Sequence, residues 1–361
     1  MNPFQYTKAK NARDAIRTVA ADTNTDFIAG GTNKIDLLRH YVELNDKLVD
    51  INALPISGVQ TVNSPQGVGL RIGALARMSD VAAHPAVVQH FPLISQSLLL
   101  AASPQLRNMA SIGGNILQRT RCPYFRETAF TECNKRVPGS GCAAIKGDNR
   151  EQAVLGTSEA CIALHASDLT QALTAMDSVV VIQGPRGERR VPFVDFHVVP
   201  GNTPWIETVL QHGELITAIE VPALSFSANS LYFKVRDRTS YAFALASAAV
   251  ALDVAGGQIR DSRVALGGVG TKPWRSQEAE AALKGQPAIE ATFQAAARAA
   301  VQGARPHEDN AFKVELVQRT LVRALDQVVS GDLRSSLMSH SNNTNGNLPG
   351  GSIPAPAGGA A

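Results

Sequence analysis

The four cysteines of this 361-residue chain are concentrated in one short segment. Their spacing is Cys122-x10-Cys133-x8-Cys142-x18-Cys161, and no cysteine occurs elsewhere. Clustered thiols in a reducing compartment indicate metal binding or catalysis rather than structural disulfides. This spacing matches neither a zinc ribbon nor a ferredoxin, so buried free thiols stay open as the alternative. The surrounding basic residues favour a metal, because positive charge lowers the pKa of thiols; they are Arg119, Arg121, Arg126, Lys135, Arg136 and Lys146.

Two glycine pairs form the second group of residues that could do chemistry. The first lies in the run Ile28-Ala29-Gly30-Gly31-Thr32-Asn33-Lys34, and the second in Ser111-Ile112-Gly113-Gly114-Asn115. Paired glycines let a backbone turn sharply and approach a ligand closely, and a strand–turn–helix context suits a pyrophosphate. The G-x-G-x-x-G Rossmann fingerprint is absent. Each motif alone is also compatible with an ordinary capped glycine turn.

Hydrophobic periodicity supplies the elements that must position these residues. The first 55 residues are predicted to alternate helix and strand, with a strand at 27–29 and a helix at 34–42 on either side of the first glycine motif. The periodicity disappears from 107 to 150, and such a long irregular stretch is often functional. Beyond it we predict a helix at 169–176, strands at 179–183, 189–192 and 215–221, and then a second unit. That unit is predicted to contain strands, a helical segment at 241–249 and three later helices.

Composition excludes several classes of protein. The net charge is only +3 and no run of five Lys or Arg occurs, so nothing indicates a nucleic acid or an anionic membrane as partner. No apolar stretch approaches the roughly 18 residues that span a bilayer, so no membrane insertion is expected. The first residues lack the apolar region of a secretory signal. We therefore expect the chain to fold in the cytoplasm, and co-export to the periplasm with a signal-bearing partner stays open.

Five ordered motifs carry a resemblance to a known family. They are AGGTN at 29–33, QLRNMASIGGNILQRTRCPY at 105–124, CIALHASD at 161–168, PGNTP at 200–204 and LYFKVRDRTSYAFALASAAVAL at 231–252. Together they resemble the FAD-binding medium subunit of the xanthine dehydrogenase family of molybdenum hydroxylases. The likeness covers residues 1 to about 329 and is strongest to the three-subunit, aldehyde-oxidising type.

The resemblance implies an α+β fold, with a two-lobed FAD-binding domain of the vanillyl-alcohol-oxidase (PCMH) type at 1–223. A smaller α+β C-terminal domain would follow at 224–329. The cysteine-rich loop would span about 119–161. Residues 330–361 are rich in Ser, Asn, Gly and Pro, and their composition predicts a disordered tail.

By the same resemblance, FAD is bound by two walls and by two further residues. The first wall is the glycine motif at 28–34 and the second is Ser111, Gly113, Gly114 and Asn115. Asp168 and Lys234 match family positions near the flavin, where a lysine can stabilise the charge of the reduced cofactor. The alternatives are a helix cap for Asp168 and an exposed strand residue for Lys234. The four cysteines match the variant of the family that ligates a [4Fe–4S] cluster.

The function that the resemblance implies is electron transfer. A molybdenum-cofactor large subunit would oxidise an aldehyde, a [2Fe–2S] small subunit would relay the electrons, and FAD in this chain would pass them to an external acceptor. Asp195, His197, His165 and Glu220 form no recognisable acid–base motif, so no catalytic residue is assigned. The alternatives are a stand-alone flavin oxidase and a non-catalytic scaffold subunit.

Overall fold

The computed structural model describes residues 1–331, so nearly all of the predicted tail lies outside the described residues. The first lobe is a small parallel sheet with strand order β1-β3-β2. Its elements are β1 (Gln5–Lys8), α1 (Ala12–Ala20), β2 (Thr25–Ile28), α2 (Lys34–Arg39) and β3 (Lys47–Asp50). Asn11 caps α1 by accepting a hydrogen bond from the Asp14 N–H at 2.9 Å. The apolar face of α1 then packs on β3 through Ile16, Val19 and Val49.

The second lobe is a five-stranded antiparallel sheet with strand order β4-β5-β8-β6-β7. Its strands are β4 (Val59–Ser64), β5 (Gly67–Gly73), β6 (Val179–Gly184), β7 (Gly187–Pro192) and β8 (Leu215–Val221). Its helices are α3 (Met78–Ala83), α4 (Pro85–His90), α5 (Pro92–Leu99), α6 (Pro104–Met109), α7 (Ile112–Ile116), α8 (Pro123–Arg126), α9 (Leu169–Ala175) and α10 (Phe193–Phe196). The helices bury Leu98, Leu173 and Phe193 against one face of the sheet.

The segment predicted to be irregular contains only short helices and one 3-10 turn at Ala143–Ile145. Side-chain bonds to the backbone hold it together instead. The Arg136 guanidinium donates to the carbonyl oxygens of Tyr124 and Phe125 at 2.9 and 2.8 Å. Asn134 donates to the Ala160 carbonyl at 2.9 Å and accepts from the Gly141 N–H at 3.0 Å. The cysteine loop is therefore an ordered part of the fold.

The C-terminal domain is a four-stranded antiparallel sheet, with strand order β12-β11-β10-β9, covered by three helices. The elements are β9 (Ser230–Val235), β10 (Ala246–Ala255), β11 (Gln258–Gly267), β12 (Trp274–Arg275), α11 (Gln277–Leu283), α12 (Glu290–Ala300) and α13 (Phe312–Ser330). The helical segment predicted at 241–249 is wrong. Ala246, Ala248 and Ala249 lie in β10, where small side chains fit a strand buried between the helices and the first domain.

The predicted fold class, a two-lobed α+β domain followed by a smaller α+β domain, is confirmed. Within residues 1–331, no helix is long and apolar enough to cross a membrane.

Candidate functional site

A cavity of about 670 Å³ lies where both glycine motifs, α9, the cysteine loop and the C-terminal domain meet. A volume of this size is typical of sites for large organic ligands. Of the residues predicted from sequence, Thr32, Asn33, Gly114, Asn115, Asp168 and Cys122 line it. The structure therefore brings together motifs that are more than 100 residues apart in the chain.

Glycine is required where the two motifs approach one another. A Cβ on Gly30 would lie 1.9 Å from the Met109 carbonyl oxygen, so any side chain there would push apart the two walls. Gly31 has a φ of +72°, a left-handed conformation that glycine adopts without strain. A Cβ on Gly113 would meet Ala74 at 3.1 Å. The two glycine turns are thus packed closely against neighbouring backbone, where a side chain would clash.

Polar side chains of both walls are held in place around the cavity. The side-chain oxygen of Asn33 (Oδ1) accepts from the Arg119 backbone N–H at 3.2 Å. The Nδ2 group of the same side chain is buried without a partner among the described residues. Asn115 accepts from the Ser167 hydroxyl at 2.7 Å, and Ser111 caps α7 by accepting from the Gly114 N–H. Because an unmet buried donor is costly, the Asn33 amide fits an anionic acceptor in the cavity.

Asp168 and Lys234 form a buried ion pair. The Lys234 Nζ donates to the Asp168 carboxylate at 2.8 Å and to the Leu100 carbonyl at 3.1 Å, and its side chain is 1% exposed. The Tyr232 hydroxyl donates to the other Asp168 oxygen at 2.6 Å. Burial, reinforced by Asp168, raises the pKa of Tyr232 and keeps it a donor. Neither alternative from sequence holds, since Asp168 does not cap α9 with its side chain and Lys234 is not exposed.

The other predicted cofactor residues lie behind the cavity wall. Ile28 packs in a small core with Leu38 and Leu48. The Lys34 ammonium is held by Asp26 and by Glu43, the latter at 2.5 Å, and Lys34 does not line the cavity. Ala29, Gly30, Gly31, Ser111 and Gly113 shape the two turns without contributing side chains to the lining. Their roles toward a cofactor stay predictions.

The four cysteines converge in one buried cluster, together with Leu37 and Phe125. None of the four forms a disulfide. The Cys161 thiol donates to Cys142, which lowers the pKa of Cys142 to about 6 and raises that of Cys161. Backbone N–H groups point at the sulfur atoms, as when the Ala163 N–H donates to the Cys161 Sγ at 3.4 Å. No group of three or more His, Cys, Asp or Glu side chains in residues 1–331 is arranged to hold a single metal ion.

Several cavity residues were missed by the sequence analysis. Arg121 lies over the Phe243 ring at 5.2 Å, and its Nε has no partner among the described residues. Tyr241, Gln152 and Lys313 also line the cavity. They come from the cysteine loop and the C-terminal domain, which no sequence spacing relates to the glycine motifs. Only the charge of Arg121 and Lys313 was visible in the sequence.

Two family models match the chain. Residues 2–224 match the FAD binding domain in molybdopterin dehydrogenase, and residues 231–328 match the CO dehydrogenase flavoprotein C-terminal domain. Among solved structures, a carbon monoxide dehydrogenase from Hydrogenophaga pseudoflava superposes with a TM-score of 0.71 at 25% identity, over 91% of this chain and 99% of that one. The enzyme from Oligotropha carboxidovorans superposes with a TM-score of 0.70 at 21% identity, over 91% and 98% of the two chains, which supports the fold.

Curated relatives extend the match over nearly the full length. The aldehyde oxidoreductase FAD-binding subunit PaoB of Escherichia coli strain K12 is 44% identical over 90% of this chain and 98% of its own. The glyceraldehyde dehydrogenase medium chain of Sulfolobus acidocaldarius is 30% identical over 77% and 79% of the two chains. The cavity is lined by Gly114 of the second glycine motif and by Asn33, whose Nδ2 donor has no partner among the described residues. This chain therefore belongs to the family of FAD-binding medium subunits of the molybdenum hydroxylases.

Proposed function

We propose that this chain is the FAD-containing electron-transfer subunit of a molybdenum-dependent aldehyde oxidoreductase. The observation that carries the proposal is the 44% identity to PaoB across 98% of that subunit, joined to a cavity with the matching glycine motifs. The glyceraldehyde dehydrogenase medium chain supports the same class of substrate. The partners would be a molybdenum-cofactor large subunit and a [2Fe–2S] small subunit. Bound FAD would accept electrons from these partners and deliver them to an external acceptor.

The residues proposed to hold FAD divide by task. The backbone of Ala29, Gly30, Gly31 and Thr32, and that of Gly113 and Gly114, would approach the diphosphate. The Asn33 amide would donate to it, and Asn115, fixed by Ser167, would form the opposite wall. The Asp168 carboxylate would face the bound FAD, and its hydrogen bonds with Tyr232 and Lys234 would fix its orientation. Lys234 and Lys34 would act on the site through neighbours rather than by contact, since neither lines the cavity.

We also propose that Cys122, Cys133, Cys142 and Cys161 ligate a [4Fe–4S] cluster. Three observations support the fit: the thiols converge, they are free, and backbone N–H groups aim at their sulfur atoms. Such N–H groups stabilise the sulfur ligands of iron–sulfur clusters. Lys135 adds favourable positive charge near Cys161.

The domain limits proposed are 1–223 for the FAD-binding domain, with the cysteine loop at about 119–161, and 224–329 for the C-terminal domain. Free, converging thiols require reducing conditions during folding, so we propose that folding takes place in the cytoplasm. Later co-export with a signal-bearing small subunit is compatible with this.

Cofactor analysis of the purified chain tests the function. Acid precipitation should release non-covalent FAD into the supernatant. A chain that binds no flavin would overturn the flavin subunit in favour of a scaffold. Turnover of aldehyde by the FAD-loaded chain without partners would instead favour a stand-alone oxidase.

The cluster is tested by replacing one ligand. Cys133→Ser should abolish the broad iron–sulfur absorbance and the bound iron, because a cluster loses a ligand that serine replaces poorly. Ser140→Ala is the matched control. It removes the hydroxyl that accepts from the Cys133 N–H at 3.0 Å but keeps all four thiols, so iron should be retained. Unchanged iron in Cys133→Ser would show that Cys133 is no ligand.

A further inference from the structure

Lys313 is a fully buried lysine at the start of α13, with 0% of its surface exposed. Its Nζ donates to three backbone carbonyl oxygens, those of Glu151 at 2.9 Å, Gln152 at 3.0 Å and Gly268 at 2.9 Å. It also lines the cavity described above. All three ammonium donors are therefore satisfied, and the residue joins the cysteine loop to the C-terminal domain beside the cofactor site.

The hydrogen bonds of Lys313 satisfy its donors but do not neutralise its charge. None of the salt bridges within residues 1–331 involves Lys313, whereas Lys234 is neutralised by Asp168. The neighbouring Arg150 is itself paired with Asp237 at 3.1 Å. Glu151, whose charge partly raises the pKa of Lys313, also lines the cavity, but it is exposed and forms no salt bridge with Lys313. The first turn of a helix also disfavours a cation, because the macrodipole is positive there. Burial accordingly lowers the pKa of Lys313 to about 8.

A series of contacts connects the surroundings of Lys313 to Asp168. The carbonyl that Lys313 contacts belongs to Gly268, and a Cβ on the adjacent Gly267 would meet Gln171 and Ser247 within 2.7 Å. The Ser247 hydroxyl lies 3.0 Å from that of Tyr232, which donates to Asp168. The unpaired cation therefore belongs to the side of the cavity that holds Asp168.

A buried charge without a counter-ion is costly, and it is stabilised by negative charge placed nearby. We propose that Lys313 supplies the uncompensated positive charge that favours uptake of electrons by FAD in this cavity. The inference rests on the proposed function, since it needs FAD to occupy the cavity. In this proposal, Lys313 on the C-terminal domain raises the reduction potential of the flavin. Lys234 then acts as a positioning residue for Asp168.

The test uses the full-length FAD-loaded chain and two readouts that do not depend on turnover. Sulfite adds to oxidised flavins to give an anionic adduct, so its affinity reports positive charge at the flavin. Lys313→Met should weaken sulfite binding about tenfold and lower the two-electron reduction potential by about 30 mV, which is the same factor in voltage. Lys313→Arg keeps the charge and should restore both values. Lys272→Met is the matched control, because Lys272 is a partly buried lysine that donates to the Val194 carbonyl outside the cavity.

A second variant keeps the test decisive if Lys313→Met does not fold. Gln152 lines the cavity, and its Oε1 is buried without a partner among the described residues. Gln152→Glu places a carboxylate beside Lys313 while leaving the ammonium and its three hydrogen bonds intact, so sulfite affinity should fall here too. Bound FAD with unchanged sulfite affinity and potential in the folded variants would overturn the role of Lys313 alone. Failure of the wild-type chain to bind FAD would overturn the proposed function instead.

Discussion

At the scale of single residues, Asn33 shows how one side chain can serve both the fold and the cofactor. Its oxygen fixes the Arg119 backbone, and so the start of the cysteine loop, while its Nδ2 group is buried in the cavity wall with no partner among the described residues. The helix that follows is only six residues long. A macrodipole argument for diphosphate binding is therefore weaker here than the argument from this amide and the adjacent glycine backbone.

Replacing Asn33 by Asp should weaken FAD binding about tenfold or more. The change is isosteric and keeps an oxygen for the Arg119 N–H, but it exchanges the amide donor for a negative charge facing a diphosphate. A tenfold weaker affinity corresponds to a loss of about 1.4 kcal/mol of binding free energy. Fluorescence titration of the apo-protein with FAD measures it. The same change at Asn63, exposed on β4, serves as control, and equal affinities for both variants would remove Asn33 from the site.

From the residue types, the kind of chemistry could be predicted better than the spatial arrangement of the side chains. The glycine pairs and the cysteines could be singled out because their clustering is visible in the sequence, although each pattern alone is also compatible with a structural role. The partners of Asp168 were not, because its ion pair joins α9 to β9 across 66 residues. Lys313 was also missed, since a lysine in an otherwise amphipathic helix is normally solvent-exposed. It is buried because the start of α13 packs against both the cysteine loop and the chain after β11.

At the scale of elements, α2 connects the two proposed cofactor sites. It begins directly after the first glycine motif, and its Leu37 packs among the cysteines. Asp36 on the same helix forms salt bridges with Arg121 and Arg126, which flank Cys122. Arg121 and Cys122 themselves line the cavity. Two sites that share a helix and a wall should not fold independently.

The loss of iron should therefore weaken flavin retention. Cys133→Ser is expected to lose FAD more readily on gel filtration than the wild-type chain, although Cys133 is not a cavity residue. Asp36→Asn should have the same effect in a milder form, because it leaves the thiols intact but releases both arginines. The FAD-to-protein ratio after repeated dilution is the measurement. A cluster-free variant that keeps FAD with wild-type affinity would show that the sites fold separately.

At the scale of the whole molecule, the buried His197 and its half-buried neighbour His165 make stability depend on pH. His165 and His197 pack edge to face with ring centroids 4.7 Å apart, and His197 also bonds the Ile116 carbonyl at 2.8 Å. Burial lowers the pKa of His197 to about 4, and burial together with His197 lowers that of His165 well below its usual value. The unfolded chain takes up protons near pH 6.5, before the folded chain does. Stability is therefore lost as the pH falls from about 6.5 towards 4.

By pH 5, His197 alone should lower the free energy of unfolding by about 2 kcal/mol relative to pH 7. His197→Gln keeps a donor for the Ile116 carbonyl and removes the titration, so its melting temperature should fall less between pH 7 and pH 5. Thermal unfolding at both pH values measures this difference. His40→Gln, at an exposed position, should keep the wild-type dependence on pH. An unchanged slope in His197→Gln would contradict the assignment.

The central claim is that this chain passes on electrons that its partners remove from an aldehyde. The most direct measurement is flavin absorbance near 450 nm under anaerobic conditions, with aldehyde added first to the FAD-loaded chain alone and then to the chain assembled with its large and small subunits. We expect no bleaching for the isolated chain and stoichiometric bleaching in the complex. Bleaching of the isolated chain, or a flavin that stays oxidised in a complex that consumes aldehyde, would contradict it.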